Sequence, residues 1–489
     1  MFSIDNDFQE GHHIPARTRH ELPPLIQGGM GVRISGWKLA NATARVGALG
    51  VVSTTGLRHI VIEEIRAGDE DAIAIARSFP IERYVHDILS FAPGGSCHSK
   101  PQPMDSPDPR HFSLPRRLSA ITAYIEVVRA KSGHRGMVGA NVMWKCALTA
   151  LPSIYGAMLA GVDALLCGAG VPMELPDIVR KMRAGEDLTY EPLHGTETNA
   201  RFSIASDCAE AHLCEIAPPK LIPILSNYAF PKRVLDIWNR QFNGIRPDAF
   251  VLENHKAGGH NAYPRNKETF AQADDVENYF ERVLELGVPV YVAGGGTTRE
   301  DFLRWQSLGA YGVQAGSRFA LCRESGMRDD LRNAIIAGNA RGETEILTDK
   351  RLSSTGFPFK YVRLPGLLPQ EDVYQARRRI CNLGFLRQSH MRAKPDGTQV
   401  EEYICPAMPE RQYVRLGGDI ADTVGRVCLC NALLATAGMR WEEPAIVTLG
   451  HAGSTITRLQ SAREVIEEIM TPEWVDERSC ALSLEAGNG

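Results

Sequence analysis

From residue 22 to about residue 320, short apolar runs alternate with stretches whose apolar positions recur at helical spacing. Residues 22–27 read as a buried strand that enters Gly28, Gly29, Met30 and Gly31. From about Trp37, Leu39, Ala40, Ala42 and Val46 fall on one helical face, and residues 49–53 supply the next strand. The alternation continues with strands at 137–142, 163–167, 221–225, 248–252, 289–293 and 311–315, and with helices at 151–159 and near 276–286. Eight short apolar strands separated by helical patterns predict an α/β fold, a (β/α)8 TIM barrel over residues 20–344. A doubly wound open sheet uses the same alternation, but eight units favour closure.

Two excursions interrupt the pattern. Residues 90–115 are crowded with Pro, Gly, Ser and His and read as a surface loop or lid, and 184–219 is a second insertion. Beyond residue 345 the alternation stops. Ser353, Ser354, Thr355 and Gly356 form a turn-rich stretch, the basic run Arg377, Arg378 and Arg379 reads as a solvated face, and one helix is expected at 427–437. Residues 345–489 are therefore an appended segment.

Composition narrows the class. A chain of 489 residues with 44% hydrophobic content can bury a full core. Its 54 basic and 58 acidic side chains, with no basic block, argue against nucleic acid as a partner. With no apolar run long enough to span a bilayer and no targeting pattern at its start, the chain is expected to be cytoplasmic and to lack a membrane partner. Its 11 cysteines, an odd number mostly in apolar context as at Cys146, Cys167 and Cys322, suit reduced buried thiols.

The chemistry-bearing candidates sit where strands end. Gly294, Gly295 and Gly296 follow the seventh strand, and Gly316, Ser317 and Arg318 follow the eighth. Two glycine-ended strands in consecutive units offer backbone N–H groups to one phosphate; a single such loop would be ordinary turn chemistry. After the sixth strand, Gly258 and Gly259 let a planar ligand approach, and His260 is placed to accept a proton or steady an anion, the catalytic candidate. A histidine that only lines a polar loop is the simpler alternative, and the neighbouring His255 reads as solvated. Gly28, Gly29 and Met30 face the same mouth, as a ring contact or as a tight turn. Asn141 matches a heterocycle's imide edge, or else satisfies backbone. Cys381, Cys405, Cys428 and Cys430 lack paired C-x-x-C knuckles, so inert buried thiols are preferred there and no metal is expected.

Together these motifs resemble the nitronate monooxygenase family, formerly the 2-nitropropane dioxygenases. The resemblance rests on PLIQGGMG at 24–31, KLIPILS at 220–226, KAGGHNA at 256–262, VAGGGTT at 292–298 and GVQAGSRFALCRES at 312–325, in family order over residues 20–330. STGFPFK at 354–360 and CLCNALLATAG at 428–438 are similar to a longer branch. The resemblance implies non-covalent FMN, with its phosphate on Gly294, Gly295, Gly296, Gly316 and Ser317. It places Gly28, Gly29, Met30, Asn141, Gly258 and Gly259 around the isoalloxazine and makes His260 the catalytic histidine. The implied reaction takes an alkyl nitronate and dioxygen to a carbonyl compound and nitrite.

The family also resembles FMN-dependent enoyl-acyl-carrier-protein reductases, so NAD(P)H and an acyl carrier protein are the alternative partners, including a trans-acting type serving fatty acid or polyketide synthesis. A flavin-binding scaffold whose appended segment docks a partner is a third reading. An inosine-monophosphate-type dehydrogenase is set aside, because residues 253–273 hold no cysteine nucleophile.

Overall fold

The computed structural model describes residues 21–96, 114–190, 200–202, 213–260, 275–439 and 444–483. Most of the 90–115 excursion and parts of the 184–219 insertion lie outside them. So do residues 261–274 after the expected catalytic histidine.

Eight parallel strands form the centre: β1 (Leu25–Gln27), β2 (Gly50–Ser53), β3 (Val138–Met143), β4 (Ala164–Gly168), β5 (Lys220–Leu225), β6 (Phe250–Glu253), β7 (Val290–Ala293) and β8 (Gly312–Ala315). Their hydrogen-bonded order is β1-β8-β7-β6-β5-β4-β3-β2, so each strand neighbours the next in sequence and β8 returns to β1. The ring closes between β1 and β2 by a bridge from Ile26 to Leu49, with Gln27 N–H donating to the Leu49 carbonyl at 3.0 Å and Leu49 N–H to that of Leu25 at 2.9 Å. The expected barrel is present, and the open sheet is not.

Successive residues on each strand face opposite ways. Ile26, Val51, Leu166, Val251 and Tyr291 fill the barrel interior, while Leu25, Val52, Leu165, Leu252 and Val292 meet the surrounding helices. The fully buried Gln27 amide is a polar exception with a structural task. Its Oε1 accepts from Val51 N–H at 2.9 Å across the closing seam, and its Nε2 donates to Ser35 Oγ at 2.8 Å. Gln27→Leu is expected to lower stability by about 1–3 kcal/mol, because buried donors and acceptors lose their partner. A lowered urea midpoint with unchanged slope is the expected reading.

Between β2 and β3 the chain adds helices Leu57–Arg66, Glu70–Arg77, Glu82–Leu89 and Leu114–Lys131. Arg129, buried on the last of these, joins them through Glu64 at 3.0 Å and Asp71 at 2.8 Å, and also through Asp69. The 184–219 insertion holds the short hairpin Leu188–Tyr190 with Ala200–Phe202.

The appended segment returns twice to the barrel. Antiparallel β9 (Glu345–Asp349) and β10 (Phe359–Arg363) form a sheet with the two residues Gly259–His260, in the register Phe359 to His260 and Lys360 to Gly259. A hairpin, β11 (Gln388–Ala393) and β12 (Gln399–Ile404), precedes helix Leu429–Thr436, which lies within the expected 427–437. Two further helices, Ala462–Ile469 and Pro472–Leu482, contribute Val465, Ile466, Ile469 and Val475 to the barrel's outer core. A reciprocal Ser461/Glu464 capping box starts the first, and the Thr471 hydroxyl caps the second.

Candidate active site

The carboxyl ends of the barrel strands open into one cavity of about 420 Å³, a size that suits a cofactor or small ligand. Gly28, Gly29, Met30, Asn141, Gly258, Gly259, His260, Gly294, Gly295, Gly316 and Ser317 all line it. Of the positions expected from sequence, Gly296 is not on the wall; it packs against Val313 of β8. Arg318 turns away from the cavity and binds the Thr297 carbonyl, the Gln460 amide and Glu468. Its guanidinium anchors the C-terminal helices.

The local sequence explains how these pieces are held. The Ser35 hydroxyl, fully buried, accepts from Met30 N–H at 2.9 Å and donates to the Gly28 carbonyl at 2.8 Å, fixing the first loop. Gly29 is required by close approach: a Cβ there would lie 2.1 Å from Asn141 Cβ. In the loop after β7, Gly294 has φ +90°, and a Cβ there would stand 2.7 Å from Ala257 N, a conformation and a spacing that favour glycine.

His260 is positioned by the appended segment. Its Nε2 shares a 2.6 Å hydrogen bond with Ser353 Oγ and a longer 3.4 Å contact with Thr355 Oγ1, and its ring meets Phe359 edge-on at 5.1 Å. The same segment supplies a wall that the sequence reading did not assign. Thr448, Leu449, Gly450, His451 and Ala452 line the cavity. Gly450 N–H donates to Ser317 Oγ at 2.7 Å, and His451 N–H to the Lys256 carbonyl at 3.0 Å. No local pattern announces such a return; it is a contact across more than a hundred residues.

Burial tunes the charges around the cavity. Burial pushes the Glu253 carboxyl up to about 8, against the pull of Lys145, so at neutral pH it is mainly uncharged. Burial lowers Lys360 to about 8. Its ammonium donates to Thr348 Oγ1 at 2.9 Å and to His451 Nε2 at 3.0 Å. Burial, reinforced by Lys360, holds His451 down to about 4, so it is a neutral acceptor. Lys256 and Asp301 both line the cavity, so with Glu253 neutral it is Lys360, bonded to the lining His451, that tips the balance toward an anionic ligand. His255, expected to be solvated, instead stands edge-on to His451 at 6.2 Å, and burial lowers its pKa.

Two buried polar atoms test whether a flavin fits. Ser53 Oγ, at the end of β2, and Gln314 Oε1, on β8, are buried without a hydrogen-bond partner among the described residues, and both residues line the cavity. Such groups are costly unless a ligand meets them, and the polar edge of a flavin ring would match them. Gln314 was legible as a lone polar residue inside an apolar strand; Ser53 was hidden in a strand terminus.

Residues 221–352 match the family model Nitronate monooxygenase, a stretch that contains all but the first residue of β5, β6 to β8, His260 and the glycine loops after β7 and β8. The resemblance read from sequence is borne out there, and the chemistry of that family is oxidoreduction. Among solved structures, the chain is similar to FabK from Thermotoga maritima at 15% identity and a TM-score of 0.48, covering 93% of this chain and 94% of that one. It is also similar to nitroalkane oxidase from Streptomyces ansochromogenes, at 14% identity and a TM-score of 0.45, covering 94% and 97% respectively. No curated protein matches. Among the described residues, no helix is long and apolar enough to cross a membrane.

Proposed function

We propose that this protein is an FMN-dependent oxidoreductase that oxidises alkyl nitronates with dioxygen to a carbonyl compound and nitrite. The observation that carries this reading is the meeting, in one cavity, of the family-matched glycine loops after β7 and β8, the Gly28 to Met30 loop and a fixed His260. Gly294, Gly295, Gly316 and Ser317 would hold the phosphate. Gly28, Gly29, Met30, Asn141, Gly258 and Gly259 would surround the ring, with Ser53 and Gln314 meeting its polar atoms. The flavin, when bound, supplies the capacity to take electrons from the substrate and pass them to dioxygen.

His260 holds the nitronate anion, or takes the α-proton when the neutral nitroalkane enters. Ser353 and Thr355 orient its ring from the Nε2 side. The appended wall at Thr448 to Ala452 restricts solvent at the reacting centre, which strengthens every charge interaction there.

Anaerobic mixing tests the reading. A nitronate is expected to bleach the flavin, and NADH or NADPH is not. Rapid bleaching by NADPH would overturn the proposal and establish the enoyl-thioester reductase, with an acyl carrier protein as its partner.

The charge pattern adds a pH expectation. Below about 8, Glu253 is neutral and Lys360 cationic; above it, Glu253 becomes anionic and Lys360 neutral. Both changes weaken anion binding as pH rises, so the KM for a nitronate should climb through that range. Glu253→Gln should make the climb shallower, and an unaltered profile would remove Glu253 from the site.

A further inference from the structure

Beside the cavity, which Cys430 lines, the side chains of Cys381, Cys405, Cys428 and Cys430 gather in one cluster with Ala407. They come from three separate stretches: the turn before β11, the residue after β12, and the start of helix Leu429–Thr436. Cys381 and Cys405 are thiol partners, as are Cys428 and Cys430, and Cys381 lies near enough to act electrostatically on both members of the second pair. None is in a disulfide.

The backbone around these sulfurs is arranged for thiolates. Gly384 N–H donates to Cys381, Ala407 N–H to Cys405 and Asn431 N–H to Cys428, each from the turn two or three residues further on. Asn431 Nδ2 adds a bond to Cys428 Sγ at 3.3 Å. A buried thiol behaves as a small hydrophobe and needs no such donors, whereas N–H groups wrapped round a cysteine sulfur are the outer support of a metal-bound thiolate. Two small buried groups hold this end of the segment, Ile404 with Met408 and Tyr413, and Cys405 with Ala407 and Cys428, while Cys430 also packs with Leu383, Phe385 and Leu434.

We propose that Cys381, Cys405, Cys428 and Cys430 bind one Zn²⁺ as a closed four-thiolate site. Four thiolates around one ion are a complete tetrahedral set, and the single residue between Cys428 and Cys430 lets both face one centre. Binding exchanges four thiol protons for the ion, and no electron changes hands. Arg387, whose charge acts on Cys381, offsets the net negative charge of the product.

As paired thiols the sulfurs are not at ligand spacing, and among the described residues no group of three or more His, Cys, Asp or Glu side chains stands ready to hold a metal ion. Ligation removes the S–H protons that join each pair and draws the pairs together within the one cluster. The ion would tie the β11–β12 hairpin to the helix whose Leu429, Cys430, Leu433 and Thr436 line the cavity. The site is thus a strut for the wall, independent of the flavin reading.

Metal analysis of the full-length protein, purified without chelator or added metal, tests this. One zinc per chain is expected, retained through gel filtration and released by a thiol-binding mercurial. Cys405→Ser with Cys428→Ser should lose the zinc, while Cys480→Ser, at an exposed position, should keep it. Because the double variant can fail to fold, cobalt-grown unmutated protein provides a second measurement: intense thiolate-to-cobalt absorption is expected. Substoichiometric zinc with four freely titrating thiols would overturn the proposal. So would a Cys381–Cys405 disulfide found by mass spectrometry, or iron accompanied by acid-labile sulfide.

Discussion

Replacing His260 by alanine is expected to lower nitronate turnover by roughly 10²- to 10⁴-fold, the range for losing a positioned proton-transfer group, while the purified protein keeps its flavin absorbance. The two readouts separate because the imidazole and the proposed phosphate grip lie in different loops. His260 ends the segment after β6, whereas Gly294 and Gly316 follow β7 and β8. The lost side chain leaves Ser353 Oγ with Thr355 Oγ1 at 2.8 Å, so the supporting turn retains a hydrogen bond. Equal loss of flavin and turnover would make His260 a structural residue. Full turnover without it would remove His260 from the chemistry.

Gly294→Ala is expected to weaken FMN binding by about 10- to 100-fold, equivalent to about 1.4–2.8 kcal/mol. Its φ of +90° strains any side chain, and the new Cβ would stand 2.7 Å from Ala257 N and 3.2 Å from Ala257 Cα. Those are backbone atoms of the loop that leads to Gly258, so relief must come from moving one ligand loop or the other. Fluorescence quenching on titration with FMN measures the loss. An unchanged affinity would mean that the loop after β7 does not hold the phosphate.

The barrel was legible because its signal is local. Alternating strand faces and helical spacing are written within a dozen residues, and all eight strands fall where the periodicity puts them. The glycine loops and His260 were legible for the same reason: each is a short pattern at a strand end. What could not be read was assembled from distance. Ser353 reaches His260 across ninety-three positions, Gly450 reaches Ser317, and the four cysteines meet across the β11–β12 hairpin. The Ser461/Glu464 capping box was a local signal left unused, and it would have revealed the helix at Ala462–Ile469.

The antiparallel ladder between Gly259–His260 and Phe359–Lys360 divides labour between two inheritable parts. The glycine loops assigned to the cofactor stand on barrel strands, yet His260, assigned to the substrate under the proposed function, is hydrogen-bonded into a sheet that the barrel does not own. Exchanging residues 345–363 for a different sequence would re-aim the imidazole and reshape the mouth without touching a phosphate loop. A chain built this way can acquire new substrates by replacing its cover while its electron-transfer chemistry stays intact.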